Sequence, residues 1–271
     1  NEEKTYVVKA TFASVTTPAA AASGEGVAVS LTNLDVDGTS AGSSSVTVSG
    51  LGTAFNDAVI FKALPTITKI DFTGSDTLAN DTVNLFKLSV AARSDGPIGL
   101  YRFSFGITTS TVSLSSTGYY LYESTSSSSL GDIIAKGSDI DRVETDASAA
   151  DIIRVYLDIN NDNDAHVGEH RILSAGTTRY YTLRGTVSGH DGTAGNESIT
   201  TVLAGDAAYA GTSALHAAGV CVAADTCDFV WSDLNFDLYS TTTATNNTGW
   251  WNGFRVPGMD TTSSTGQTVS D

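Results

Sequence analysis

The segment from Asp158 to Glu169 carries oxygen-bearing side chains at a spacing that is typical of calcium loops. Counted from its first residue, oxygen donors fall at positions 1, 3, 5 and 7, and a glutamate falls at position 12. Calcium prefers about six to eight oxygen ligands, and alternate side chains of a short loop can point inward to provide them. The sequence therefore predicts calcium as a cofactor. The predicted ligands are Asp158, Asn160, Asp162, Asp164 and Glu169.

One position of this loop departs from the usual calcium pattern. Asn163 stands at position 6, where glycine usually provides a positive φ angle, and asparagine is the next most tolerant residue there. The flanking runs 154–157 and 171–173 have the pattern of strands rather than of EF-hand helices. We therefore expect a calcium loop at the end of a β-hairpin. The alternative is a solvated Asn/Asp turn that holds no ion.

The chain has two cysteines, Cys221 and Cys227, with five residues between them. These five residues can form a turn that brings the two thiols within bridging distance. A disulfide is the first expectation for a cysteine pair in an extracellular chain. A metal site would need further ligands nearby, and the sequence offers none at a suitable spacing. We therefore predict a Cys221–Cys227 disulfide that fixes the shape of a hairpin.

Other residues whose side chains could take part in catalysis or ion binding are interpreted as solvated. Five acidic residues crowd one segment, which we expect to be an acidic loop rather than a second ion site: Asp132, Asp139, Asp141, Glu144 and Asp146. Four histidines lie in polar surroundings and are expected on the surface: His166, His170, His190 and His216. The sequence contains neither an H-x-x-x-H pair nor a G-x-S-x-G serine elbow. We expect no catalytic residues and no enzyme activity.

Charge and composition restrict the class of partner. The chain has 271 residues, with 14 basic against 30 acidic side chains and a formal net charge of −16. A phosphate backbone would repel such a surface, so nucleic acid is excluded as a partner. No run approaches the ~18 uninterrupted apolar residues of a membrane span. Scarce lysine, abundant Ser and Thr, and a start at Asn1 without a leader pattern favour a mature, secreted protein of the cell surface.

Short runs with strand composition recur along the chain, and turn residues separate them. After Pro65 these predicted strands are 66–72, 83–92, 98–107, 119–123, 152–158, 171–173, 179–187, 198–203, 220–223 and 229–231. Val27, Val29 and Leu31 alternate with small or polar residues and would share one face of a strand. No segment sustains the 3.6-residue period of a long helix. The sequence therefore predicts an all-β fold made of immunoglobulin-like β-sandwich modules.

Three N-terminal segments match later segments in the same order. The matched pairs are Thr5–Phe12 with Tyr180–Val187, Glu25–Leu31 with Glu197–Leu203, and, more loosely, Ala58–Phe61 with Phe229–Ser232. The nearly constant offsets of 175, 172 and 171 residues indicate a duplicated module with small loop deletions. Pro65 marks the module junction, because proline cannot donate a hydrogen bond to a strand ladder.

The repeat predicts three parts: an incomplete module at 1–64, a complete module at 65–232 and an aromatic tail at 233–271. In the second copy the matching strands are the last ones of a module, whereas the first copy has only those strands. A half module leaves apolar faces and strand edges bare, so another segment has to cover it. The residues expected at this interface are Val7, Val27, Val29 and Leu31 of the half module and Trp250, Trp251 and Phe254 of the tail.

The tail can cover the half module of its own chain or that of the next chain. The second arrangement is strand addition to an open edge, and it propagates head to tail.

Several short motifs of the chain resemble a known group of proteins. They are Pro-Thr-Ile-Thr at 65–68, Leu-Phe-Lys-Leu-Ser-Val-Ala-Ala at 85–92, Tyr-Tyr-Thr-Leu-Arg-Gly-Thr-Val at 180–187, Asp-Phe-Val-Trp-Ser-Asp at 228–233 and Trp-Trp-Asn-Gly-Phe-Arg-Val-Pro-Gly-Met at 250–259. Together they resemble large secreted surface proteins of ultrasmall candidate-phyla bacteria, which carry tandem immunoglobulin-like modules and end with a similar Trp-Asn-Gly-aromatic segment. The resemblance covers roughly residues 60–265. It implies a structural protein of the cell surface and no catalytic residues.

These observations favour an extracellular structural subunit of a filament or surface layer, whose partners are neighbouring copies of itself. The copies would assemble head to tail by β-strand complementation. The alternative is a monomeric adhesin or glycan-binding module, in which Trp250 and Trp251 form the platform for surface glycans.

Overall fold

A computed structural model describes residue 9 and residues 26–27, 58–74, 76–144, 150–157, 170–192, 195–207, 227–234, 249–259 and 266–271. The chain divides into two compact units, Asn1–Phe61 (unit 1) and Lys62–Asp271 (unit 2). The module junction predicted from the sequence stood between residues 64 and 65.

Unit 1 has two short described strands, β1 (Gly26–Val27) and β2 (Ala58–Val59). They pair antiparallel, with Gly26 opposite Val59 and Val27 opposite Ala58. Of the apolar face predicted for this unit, Val27 is described by its backbone alone. Val7, Val29 and Leu31 lie outside the described residues, so that face stays a prediction.

Unit 2 is built almost entirely from strands. In chain order they are β3 (Pro65–Lys69), β4 (Thr82–Ala92), β5 (Ile98–Ser110), β6 (Ser113–Ser124), β7 (Asp132–Lys136), β8 (Ile140–Glu144), β9 (Ala150–Tyr156), β10 (Arg171–Leu173), β11 (Thr178–Ser188), β12 (Ser198–Leu203), β13 (Val230–Ser232) and β14 (Gln267–Ser270). The described part of the chain contains one 3-10 turn, Gly137–Asp139, and no α-helix. The prediction of an all-β fold is confirmed.

None of the helical structure in the described part is long and apolar enough to cross a membrane.

The strands of unit 2 form two antiparallel sheets. One has five strands in the order β3-β4-β11-β6-β7. The other has seven, in the order β14-β12-β5-β9-β8, and β10 and β13 also pair with β5. Aromatic rings from the two sheets meet between them: Phe86 lies 5.6 Å from Phe105, and Phe103 lies 5.3 Å from Tyr181, centroid to centroid. This arrangement is consistent with a β-sandwich.

β5 is the central strand of the seven-stranded sheet, and its first part, residues 98–105, is buried on both faces. Phe103 and Phe105 point into the space between the sheets, where both are fully buried. Arg102 and Ser104 alternate with them and are also buried, at 1% and 0% exposure. A guanidinium nitrogen of Arg102 donates to the carbonyl of Cys227, so the C-terminal part of unit 2 covers this second face.

The segment that was predicted to be a solvated acidic loop forms two edge strands instead. β7 ends the five-stranded sheet, the 3-10 turn crosses over, and β8 ends the seven-stranded sheet. Asp132 and Asp141 are exposed, whereas Ile134 and Ala135 are buried. Asp132 and Asp141 thus lie on the outward side of edge strands, where charge discourages pairing with another chain.

Asp139, which was predicted to be solvated, is instead fully buried in the 3-10 turn, where its carboxylate accepts the N–H of Lys136 at 3.0 Å. Asp146 lies outside the described residues.

Candidate functional site

The predicted calcium ligands, at 158–169, all lie outside the described residues, so calcium stays a prediction. The strands on either side of this segment are described, and both pair antiparallel with β5. Tyr156 of β9 lies opposite Arg102, and Arg171 of β10 lies opposite Leu100. β13 pairs with the other edge of β5 at both positions. β9 and β10 therefore lie on the same edge of β5, one after the other, and run in the same direction. The two flanking strands therefore lie in one line along β5 and do not pair with each other, as the predicted hairpin would require.

Cys227 is fully buried and is not a free thiol. Cys221 lies outside the described residues, so the pairing of the two cysteines stays a prediction.

Two of the sequence motifs meet in the fold and form a cluster that we call the tryptophan clasp: Trp231, Trp250, Trp251 and Asn252. The backbone N–H of Trp231 donates to the carbonyl of Trp251 at 3.0 Å, and the reverse bond measures 2.7 Å. The indole Nε1 of Trp231 donates to the carbonyl of Asn252 at 2.9 Å. The clasp therefore joins the C-terminal aromatic motif to β13 of its own unit.

The clasp buries the two tryptophans that were expected at an assembly interface or, in the alternative, on a glycan platform. Trp250 is fully buried and Trp251 is 2% exposed. The ring of Trp250 packs 5.5 Å from Tyr101 and 5.4 Å from His170, whose own pKa is lowered by burial. Neither indole is presented as a platform for sugars, and His170 is a packing residue rather than a surface histidine. Phe254 is half-buried.

The tail is also attached to the edge of the five-stranded sheet. The N–H of Ile67 in β3 donates to the carbonyl of Pro257 at 2.8 Å. Gly258 follows with a φ of +85°. A Cβ at Gly258 would lie 1.7 Å from the carbonyl oxygen of Ile67, so only glycine fits this close approach. The described parts of the tail are thus integral to unit 2.

A buried carboxylate holds the same region together. The carboxylate of Asp206 is 3% exposed and accepts backbone N–H groups from Asp228 at 2.9 Å, Phe229 at 3.4 Å and Gly253 at 2.6 Å. Burial raises the pKa of Asp206, although these bonds and Arg102 oppose the rise. Burial, and then the negative charge of Asp206, raise the pKa of Asp228 to about 6.

Paired carboxylates with raised pKa values are typical of acid–base sites. Here, however, the oxygens of Asp206 are committed to three backbone donors from two chain segments. The pair is therefore explained by its structural role, which is to hold the turn at 227–229 against the clasp.

A polar pocket of about 290 Å³ opens on the five-stranded sheet. It is lined by Asp76, Asn84, Lys87, Thr182, Arg184 and the turn 127–130. The ammonium of Lys87 contacts both oxygens of Asp76, at 2.9 and 2.8 Å. Burial alone would raise the pKa of Asp76, but hydrogen bonds from Lys87, Asn84 and Thr73 lower it to about 2. Carboxylate, amide, ammonium and hydroxyl groups are the kinds of partner that sugar hydroxyls use.

Sequence reasoning missed one cluster altogether. The structure brings together His190, Glu197 and Asp271, which lie at the ends of β11, β12 and β14. The first two are seven residues apart across a Gly-rich turn, and that spacing was the one available signal. Asp271 could be placed only after β14 was known to pair with β12.

Comparisons with known proteins give no family. No protein-family model matches the chain, and no curated protein matches it. The solved structure described as "AvmM Catalyzes Macrocyclization in Alchivemycin A Biosynthesis" is similar over 53% of this chain and 73% of its own, with 10% identity and a TM-score of 0.27. A likeness this distant carries no argument for fold or activity.

Proposed function

We propose that this protein is an extracellular structural subunit that assembles head to tail into a filament or surface layer. Assembly proceeds by β-strand addition to unit 1. The strongly acidic, lysine-poor composition supports an extracellular location, and the internal repeat supports an immunoglobulin-like module in each unit.

The observation that carries this proposal is the role of β5 in unit 2. Segments of unit 1 match β12 and β13 in sequence. In unit 2 both of those strands pair with β5: Leu203 lies opposite Phe105, and Val230 lies opposite Arg102. In unit 1 the matching segments contain β1 and β2, which pair with each other instead. The repeat provides no counterpart of β5 within residues 1–61. In this proposal a strand from a neighbouring copy adds to the β1–β2 pair, and backbone hydrogen bonds would give the contact both strength and register.

The structure narrows our choice of donor. The expected donor was the tail at 233–271, but residues 249–259 of this tail are integral to unit 2 of the same chain. Of the strands that end the two sheet orders, β3 is capped by Pro257, and β7 and β8 carry exposed Asp132 and Asp141. β14 is the edge of the seven-stranded sheet and has the uncharged sequence Gln-Thr-Val-Ser. We therefore assign the contact to β14 of one copy and unit 1 of the next.

The assembly state of the whole chain tests this function. We expect multi-angle light scattering and negative-stain microscopy to show polymers for the full chain and a folded monomer for residues 62–271. Thr268 of β14 is exposed, and Thr268→Lys should block polymer growth, because a charge on an edge strand opposes pairing. The matched control is Thr108→Lys, which changes an exposed threonine of the central strand β5 and should leave polymers intact.

A full chain that stays monomeric at 28.0 kDa would contradict the proposal. That result would favour the second candidate function, a monomeric glycan-binding module. The polar pocket of the five-stranded sheet supports this second candidate, whereas the buried Trp250 and Trp251 do not.

A further inference from the structure

Strand register brings two carboxylates together at one end of the seven-stranded sheet. β12 and β14 pair antiparallel, and the last matched pair is Ser198 with Ser270. One further step along this register places Glu197 opposite Asp271. Like charges that face each other across a strand pair are destabilising unless a positive charge lies between them. Glu197 is nevertheless buried, at 4% exposure.

The group that faces these carboxylates is an imidazole from the other sheet. His190 follows the end of β11, which belongs to the five-stranded sheet. Its Nδ1 lies 2.5 Å from Oε2 of Glu197 and 3.2 Å from Oδ1 of Asp271. The three candidate ligand atoms all lie within 4.8 Å of one another. One nitrogen and two oxygens therefore converge on a single point where the two sheets end.

Hydrogen bonds fix the backbone of His190 and the carboxylate of Glu197. The side chain of Asn80 accepts from the N–H of His190 at 2.8 Å and donates to its carbonyl at 2.5 Å. The second oxygen of Glu197 accepts the N–H of Asp191 at 3.0 Å. The bond to Glu197 is an outer contact of the kind that orients a carboxylate ligand in a metal site, and the bonds from Asn80 hold the backbone from which the imidazole projects.

We propose that His190, Glu197 and Asp271 form a site for a divalent transition-metal ion, with Zn²⁺ as the best match. An imidazole nitrogen with two carboxylate oxygens suits zinc, whereas calcium and magnesium prefer oxygen alone. Zinc bonds of about 2.0–2.2 Å in a tetrahedron separate neighbouring ligand atoms by about 3.4 Å. The contact between His190 and Asp271 already has nearly that length, and the contact between His190 and Glu197 would open by about 1 Å as the ion replaces the shared proton.

The ion would join the ends of β11, β12 and β14, and with them the two sheets of unit 2. It would also neutralise the repulsion between Glu197 and Asp271. The site is separate from the predicted calcium loop. Asp271 directly follows β14, the strand assigned to the assembly contact, but the test below measures zinc binding and does not depend on assembly.

Isothermal titration of the metal-free full chain with ZnCl₂ tests the site. We expect one high-affinity zinc per chain and a rise in the melting temperature with Zn²⁺ but not with Mg²⁺. His190→Gln and Asp271→Asn should each weaken zinc binding at least tenfold. The matched control is His216→Gln, which removes another histidine of the same chain and should bind zinc like the wild type.

Two outcomes would overturn the proposal. One is a wild-type chain that neither binds zinc nor gains thermal stability from it, which would leave the cluster as an ion pair only. The other is equal zinc affinity in wild type and His190→Gln, which would place the ion elsewhere. Asp271 lies at the rim of the site, so Asp271→Asn keeps the test decisive if His190→Gln fails to fold.

Discussion

Replacing Gly258 by alanine should destabilise unit 2 far more than the same change at Gly176. Both glycines have a positive φ, +85° and +69°. An alanine at either position would therefore be destabilised by about 1–2 kcal/mol of conformational strain in the left-handed region. The surroundings differ. A Cβ at Gly176 would meet nothing within 4 Å, whereas one at Gly258 would lie 1.7 Å from the carbonyl oxygen of Ile67.

The extra cost at Gly258 follows from that distance. Ordinary contact begins near 3.4 Å, so the turn at 257–258 has to move away from β3. The hydrogen bond from Ile67 to Pro257 is then lost, at a net cost of about 1 kcal/mol. Partial exposure of Val256 and Met259, which are 2% and 9% exposed in the fold, adds about 2 kcal/mol. We expect Gly258→Ala to exceed Gly176→Ala by about 3 kcal/mol, or about 6–12 °C in melting temperature.

Urea and thermal unfolding of the wild type and the two variants, followed by circular dichroism, measure this difference. Gly176→Ala serves as the matched control, because it has the strain without the contact. If the two variants lose the same stability, the tail does not sit on β3 as described, and the integration of the tail into unit 2 would be wrong.

Two further predictions concern protons and calcium. Asp228 has a folded pKa of about 6 against an ordinary value of 3.8, so the folded chain binds a proton that the unfolded chain releases between those values. Stability should therefore fall as the pH rises from about 4 to about 6, and Asp228→Asn should flatten that dependence in unfolding experiments; an unchanged pH profile would contradict the assignment. If the segment 158–169 holds calcium, a calcium-selective chelator should lower the melting temperature of the wild type but not of Glu169→Ala, and a wild type that ignores the chelator would refute the site.

Local sequence patterns were sufficient to predict the strands with continuous apolar or alternating character. β4, β5 and β11 are long runs rich in branched and aromatic residues, and the predicted runs cover most of each strand. The shorter strands β7, β8 and β14 were missed. β7 and β8 mix acidic with apolar residues, and β14 is short and mostly polar, so each becomes a strand only because a neighbouring edge offers hydrogen-bonding groups.

The candidate sites also differ in whether the sequence alone can reveal them. A calcium loop can be proposed from sequence because its ligands are close along the chain, and their spacing alone carries the signal. The cluster of His190, Glu197 and Asp271 could not be proposed, because strand pairing across 74 residues sets Asp271 beside Glu197. The tryptophans were expected at a surface or an interface, since an apolar motif does not reveal which face of which module it covers.

The sequence by itself determined the class of this protein: strand-forming runs, scarce helix formers, an acidic surface and an internal repeat leave an all-β fold as the outcome. Only the tertiary structure decided which strands are neighbours. It placed β10 in line with β9, β13 beside β5, and Trp251 opposite Trp231. The physical reason is that side-chain alternation is a local property of the chain, whereas a β ladder joins backbones that are distant in sequence, and any exposed edge of matching length can accept them.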